Sequence, residues 1–195
     1  MMMFKRPVLM AIGLSVGALF FNGCATPQEK YFLDTETRAN VYVSPEQMNI
    51  KKIAIMPFKA PTELIGASIS DLFVTEMLKA GRYELVERSQ MAQVLGESEL
   101  SLAGLSAAKA AEVGAMMGAD AMMIGTVDNY STVAYRGYEF PVVGITARLI
   151  DCQSGKVVWS VDLAERSQDK RGTLPEQARI VVHQMMAALY QGWQD

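Results

Sequence analysis

Ile53-Ala54-Ile55-Met56-Pro57-Phe58 is the stretch from which the fold is read. A strand with one wet face alternates apolar and polar residues, whereas an unbroken apolar run closed by a proline belongs to a strand buried on both faces. This run is therefore expected in a central position, with a layer of structure on each side. Downstream, Pro61 and Thr62 open a segment in which Ile65, Ile69, Leu72, Phe73, Glu76 and Met77 recur at helical spacing, with Gly81 as its stop. Tyr83 to Val86 reads as a short strand. Ser89 to Leu95 carries Met91, Val94 and Leu95 on one helical face, and Ser106 to Met117 reads as a second, Ala- and Met-rich helix capped by Ser106.

The second half changes period. Ala121 to Val127 is apolar, Val143, Ile145, Ala147 and Leu149 alternate with Thr146 and Arg148, and Val157, Trp159, Val161 and Leu163 continue the period of two after a turn at Asp151 to Gly155. These three segments predict an antiparallel meander. Thr173-Leu174-Pro175-Glu176 has the form of a capping box, and Ala178, Val181, Val182, Met185 and Leu189 line one side of a closing helix. The order β-α-β-α-α-β-β-β-α predicts an α/β class: one mixed sheet with a buried N-terminal strand and a C-terminal antiparallel meander, flanked by helices.

Outward from this core, the N-terminus has a different character. Lys5 and Arg6 precede Val8 to Phe21, an uncharged apolar run too short for the ~20 residues that cross a bilayer as a helix. Such a run is the hydrophobic part of a signal peptide. Residues 1–23 are read as that signal peptide, 24–49 as a tether and irregular arm broken by Pro27 and Pro45, and 50–195 as one α/β domain.

Composition narrows the function. Half of the 195 residues are hydrophobic and 20% are charged, with 18 Lys and Arg against 21 Asp and Glu. Without Lys5 and Arg6 the count is 16 against 21, a net charge of −5, which offers little to neutralise a phosphate backbone. No nucleic-acid partner is expected. Two Cys and one His are too few for a closed four-ligand Cys/His zinc site, and no metal site is expected. The fourteen Met are read as core packing rather than soft-metal ligands, with Met116, Met117, Met122, Met123, Met185 and Met186 at core positions. Gly66 and Gly114-Ala115-Met116-Met117-Gly118 lack the spacing and the Lys of a phosphate loop and are read as sites of close packing. No cofactor is expected.

Catalysis has one candidate. His183, beside Val182 and Met186, could act as a base with Ser68 or Asp71 as partner, but nothing in the sequence brings them together. A surface or boundary histidine is the simpler reading, and no enzyme is expected. The aromatic set Tyr130, Tyr135, Tyr138 and Phe140 in the predicted hairpin Asp128 to Pro141 leaves two readings open: the rings fold back over the meander, or they face a partner. Trp193 carries the same ambiguity.

Five blocks of sequence carry a resemblance. Phe21-Asn22-Gly23-Cys24 resembles the lipobox of bacterial lipoproteins, in which the Cys is acylated and becomes the new N-terminus. The alternative is a free Cys beside an ordinary cleavage site. Ala25, where an Asp would favour the inner membrane, implies the outer membrane, and acylation of Cys24 would leave Cys152 without an intrachain disulfide partner. Lys52 to Phe58, Leu85-Val86-Glu87-Arg88-Ser89-Gln90, Gly118-Ala119-Asp120-Ala121 leading to Gly125-Thr126-Val127, and Gly155 to Ser160 together resemble the curli-secretion lipoprotein family, CsgG-like domains whose relatives include PelC-type polysaccharide-export and LpoB-type lipoproteins.

The resemblance implies a periplasmic domain held to the outer membrane by its N-terminal lipid, a homo-oligomeric ring, and partners among secretion or envelope-assembly proteins. It implies a non-catalytic component of a secretion or export assembly, or alternatively an activator of a peptidoglycan synthase. In the curli channel each subunit places two hairpins in a shared barrel. Here Asp128 to Pro141 shows no clean lipid-facing stripe, and Glu165 to Gly172 crowds Glu165, Arg166, Asp169, Lys170 and Arg171 into eight residues. A complete transmembrane barrel is therefore not expected.

Because one residue is expected to carry all the acyl chains, Cys24→Ser should move the protein out of the salt-washed membrane fraction. Retention of the variant after a high-salt wash would rule out lipid anchoring at this position.

Overall fold

The computed structural model describes residues 39–45, 49–95 and 105–191, and the lipobox at Cys24, the tether before Ala39 and Trp193 lie outside them. Ten elements follow one another: β1 (Asn40–Val43), β2 (Lys52–Ile55), α1 (Glu63–Ala80), β3 (Glu84–Leu85), α2 (Arg88–Leu95), α3 (Ala107–Met116), β4 (Ala121–Tyr135), β5 (Tyr138–Asp151), β6 (Val157–Arg166) and α4 (Leu174–Gln191). The strands form one six-stranded mixed sheet in the order β1-β6-β5-β4-β2-β3. β2 is parallel to β3 and β4, while β4, β5, β6 and β1 are antiparallel in turn.

The decisive apolar run behaves as its composition requires. Ile53 and Ile55 enter the core beneath α1 and α4, while Ala54 and Met56 enter a second core beneath α2 and α3. Met123 and Met122 of β4 divide in the same way. β2 is interior but not central, because only the two-residue β3 lies outside it. The meander takes the middle of the sheet.

Helix boundaries follow from local chemistry. Thr62 Oγ1 accepts from the Ile65 N–H at 3.3 Å, and Gly81 closes α1 at φ 63°, in the left-handed region. At α4 the capping box forms in full: the Thr173 N–H donates to Glu176 Oε2 at 3.0 Å and the Glu176 N–H to Thr173 Oγ1 at 3.4 Å. α1 buries Gly66, Ile69, Phe73 and Met77, and α4 buries Val181, Val182, Met185, Met186 and Leu189.

Two expectations change. The arm before residue 50 is not wholly irregular: Asn40–Val43 forms the edge strand β1, held to β6 by the backbone ladder and by the Asn40 amide donating to Asp162 Oδ2 at 3.0 Å. Four residues with two polar side chains leave too short a pattern for a period of two to be legible. Met116, expected in the core, is 59% exposed on the last turn of α3, whereas Met122, Met123, Met185 and Met186 are fully buried.

α1 and α4 reach across the sheet on one side, but on the other α2 and α3 cover only β2, β4 and the Ile150 end of β5. Over the rest of β5, β6 and β1 that second face carries Thr146, Arg148, Ser160, Asp162 and Tyr42. The layers are locked together at Phe58, which is 1% exposed. A side-chain carbon at Gly125 would lie 2.2 Å from the Phe58 ring, and one at Gly66 would lie 2.0 Å from its carbonyl oxygen. Gly125→Ala is accordingly expected to cost about 1–3 kcal/mol by overpacking. A melting temperature lowered by several degrees would show it, and an unchanged melt would mean that the ring does not rest on that glycine.

Candidate interaction surface

The strands of the meander differ in length, and that difference makes the surface. β4 and β5 have 15 and 14 residues, but the β5–β6 ladder begins only at Val142–Arg166. β2 leaves β4 even earlier, after Met123, with one further bridge from Lys59 to Thr126. Among the described residues, β4 from Thr132 to Tyr135 and β5 from Tyr138 to Pro141 have only each other as strand neighbours, so the hairpin projects past the sheet. Its loop is the pair Arg136-Gly137 at φ 50° and 77°. Two successive positive φ values make the two-residue turn that matches strand twist.

Register sorts the hairpin's side chains into two faces. Ser131 opposes Val142, Val133 opposes Phe140 and Tyr135 opposes Tyr138, so Val133, Tyr135, Tyr138 and Phe140 share one face with Val142 and Arg166. This is the face that continues onto the open side of the sheet. Val133 is 42%, Tyr135 49% and Tyr138 50% exposed. The rings therefore do not fold back over the meander.

Tyr130 stands apart from the other three aromatics. It opposes Val143, points to the opposite face and packs against the core beneath α1 and α4, where burial raises its phenol above the ordinary value. The change of face comes from a bulge: the register shifts between Val127 and Asn129, leaving Asp128 to accept from the Thr146 hydroxyl at 2.7 Å. No property of the residues Asp128 to Tyr130 announces that shift.

Three cations belong to the aromatic face. The Arg166 guanidinium lies 4.9 Å from the Phe140 ring centre and 5.5 Å from that of Tyr135, the Arg136 guanidinium 5.2 Å from Tyr135, and the Lys170 ammonium 4.6 Å from Tyr138. Tyr135 and Phe140 meet edge to face at 6.4 Å. The sequence gives Arg166 and Lys170 only as part of a charge run. Their place over the rings follows from the β5–β6 register and from the connection 167–173, where the Ser167 N–H donates to the Pro141 carbonyl at 2.7 Å and its hydroxyl to the Asp169 carbonyl at 3.1 Å. The charged segment Glu165 to Gly172 is thus the end of β6 and this tied turn, not a second hairpin. The carboxylates Glu139 and Glu165 lie on the other face of the strands, Glu139 accepting from the Thr132 hydroxyl.

The other candidate residues do not assemble into a site. His183 is on the exposed side of α4, its Nδ1 3.1 Å from Glu76 Oε2. Ser68 lies two helical turns before Glu76 on α1, about 12 Å along the axis, and Asp71 is exposed. Neither joins His183, so no triad forms. Glu76 also accepts from Lys79 Nζ at 2.6 Å. Gly114 packs against Cys152, whose Sγ lies 2.3 Å from where a side-chain carbon would be. Burial, with Asp151 and Asp120 nearby, pushes the Cys152 thiol up to about 11, away from a reactive thiolate. Among the described residues no three His, Cys, Asp or Glu side chains gather as metal ligands, and no helix is long and apolar enough to cross a membrane.

Residues 34–174 match the family described as "Curli production assembly/transport component CsgG". Among solved structures, the PelC dodecamer from Paraburkholderia phytofirmans is 21% identical at a TM-score of 0.56, covering 77% of this chain and 95% of its own. Lipoprotein GNA1162 from Neisseria meningitidis is 18% identical at a TM-score of 0.55, covering 74% of this chain and 99% of its own. These likenesses establish the fold. No curated protein matches the sequence.

The Glu76 cluster yields a pH test. Burial alone would raise the Glu76 carboxyl, but hydrogen bonds and charge from Lys79 and His183 outweigh it and hold the group below its ordinary value. A carboxyl depressed by folding stabilises the fold above its unfolded value, ~4.3, and loses that contribution as pH falls through the lower folded value. Glu76→Gln should thus melt a few degrees below the parent near neutrality, with the gap closing below about pH 4. A gap that persists undiminished in acid would refute the ion-pair account.

Proposed function

From the premise that the chain belongs to the CsgG family, we propose that it is an outer-membrane lipoprotein, acylated at Cys24, that serves as a non-catalytic, homo-oligomeric component of a secretion or export assembly in the envelope. The family match supports the envelope-assembly theme. The oligomer is supported by the fold shared with a protein solved as a dodecamer. The lipid anchor is supported by the short apolar run that ends in Gly23-Cys24.

One structural observation carries the mechanical part of this reading: a hairpin that stands clear of the sheet and spends its aromatic residues outside the core. Burying Tyr135 and Tyr138 at home would contribute to the domain's own stability. Leaving both half-exposed makes sense where the apolar area is used against something else. Tyr135, Tyr138 and Phe140 are thus the contact residues, and Tyr130 supports the hairpin from the core side. An assembly role of this kind requires no catalytic group.

A barrel shared between subunits is not part of the proposal. The connection 167–173 is bound to the base of the first hairpin and holds Asp169, Lys170 and Arg171, so it offers no second pair of spanning strands.

Light scattering of the detergent-extracted protein should give a particle several times the 21.4 kDa chain. A monomer at working concentration would overturn the oligomeric part of the reading.

A further inference from the structure

We propose that the sheet face running from the β4–β5 hairpin down β5, β6 and β1 is a docking strip for an acidic polysaccharide chain laid lengthwise along β5. The inference deepens the export reading, on which it rests, by naming the class of cargo that the subunit touches.

Register defines the strip. The even residues of β5 from Tyr138 to Arg148 share one face, and the ten steps between them span about 34 Å. Pairing puts Tyr135 beside Tyr138 at one end, Ala164 beside Gly144 in the middle, and Ser160 beside Arg148 at the other end, with Tyr42 of β1 next to Ser160. The middle is low, because Gly144 has no side chain and its neighbours on that face are short. Both ends combine exposed rings with cations. Tyr135 and Tyr138, 49% and 50% exposed, have Arg136, Arg166 and Lys170 within 5.5 Å of their ring centres. Tyr42, 56% exposed, stands one strand beyond Ser160 from the exposed Arg148.

Chemistry selects the occupant. The strip collects Arg136, Arg148, Arg166 and Lys170 in a chain whose acidic groups outnumber its basic ones, 21 to 18, while Glu139 and Glu165 lie on the other face. The two carboxylates that reach the strip are already engaged: Asp162 accepts from the Asn40 amide at 3.0 Å and Asp128 from the Thr146 hydroxyl at 2.7 Å. A ligand complementary to that charge is anionic. An extended acidic peptide would seek free backbone groups, but β5 from Val142 to Leu149 has a paired strand on each side. What the floor offers instead is hydroxyl and amide side chains, among them Asn129, Ser131 and Ser160. A sugar chain matches each part: its flat C–H faces rest on aromatic rings, its hydroxyl groups meet the polar floor, and its carboxylates meet the cations. A second copy of the chain would need an apolar centre, and the centre of this strip is small and polar.

The test titrates the full-length, detergent-extracted protein calorimetrically with three probes: an oligogalacturonate long enough to cover the strip, a neutral maltooligosaccharide of the same length, and polyglutamate. The oligogalacturonate should bind at least about tenfold more tightly than either control, and high salt should weaken it. Arg148→Gln and Tyr138→Ala, at opposite ends, should each weaken it about fivefold with the melting temperature unchanged, whereas digalacturonate, too short to touch both, should respond to at most one of them. No binding of the oligogalacturonate overturns the proposal, as does equal binding of polyglutamate, which would reduce the strip to its charge. Loss at only one of the two variants also overturns it, because the contact is then confined to one end. Particle mass and acylation at Cys24 are read separately. A monomer without acyl chains that still binds removes the export reading and keeps the strip, while a lipidated oligomer that binds no oligogalacturonate keeps that reading and removes the strip.

Discussion

Phe58 sets the spacing of the fold. Its ring meets that of Phe73 of α1 at a tilt, 5.1 Å between centres, and packs against Gly125 of β4, while its carbonyl faces Gly66 at a distance that admits no side chain. Full burial of such a ring contributes about 2–3 kcal/mol, and more follows from what it aligns. The Phe58 N–H donates to the Gly66 carbonyl at 3.3 Å, so the strand-to-helix connection is pinned where it turns. One residue later the Lys59 N–H donates to Gly125 and the Lys59 carbonyl accepts from Val127, at 2.9 and 2.7 Å. Phe58, Gly66 and the distant Gly125 thereby fix how closely α1 approaches β4 and where the pairing beside β4 stops. Beyond Val127 the strand has no neighbour on that side among the described residues, and the free hairpin begins.

The parts of the fold legible in the sequence are those in which one residue's environment is repeated by its neighbours. Ile53 to Phe58 announces burial on both faces because both faces are in fact covered, by α1 and α4 on one side and α2 and α3 on the other. The capping box at Thr173 and the alternation through β5 and β6 are equally local signals, and each is found where it was expected. β1 is not legible in the sequence because an edge strand of four residues is held by its partner's ladder, not by its own pattern. Met116 is exposed because Ala- and Met-rich helices have weakly marked faces, and α3 lies down on Ala110, Ala111, Val113 and Gly114 instead.

The candidate surface divides along the same line. The aromatic residues were visible as residues, and Tyr135, Tyr138 and Phe140 do form one group. Tyr130 left that group because a single bulged residue reverses the facing of everything after it, and a bulge depends on pairing rather than on composition. The cations were legible only as a charge run. Arg166 reaches Tyr135 and Phe140 because β5–β6 pairing sets it opposite Val142, a relation between residues 24 apart that no local rule supplies.

That pairing also answers how a hairpin can hold aromatic residues in water without collapsing onto its own sheet. A cation over a ring at an exposed site contributes about 0.5–1 kcal/mol, and four such contacts here join three strands' ends: Arg136 from the turn, Arg166 from β6 and Lys170 from the following connection. The cations hold the rings on the face away from α1 and α4, and they keep charge where two hairpins would otherwise join by apolar contact alone. Like charges brought together in such a pair would oppose it.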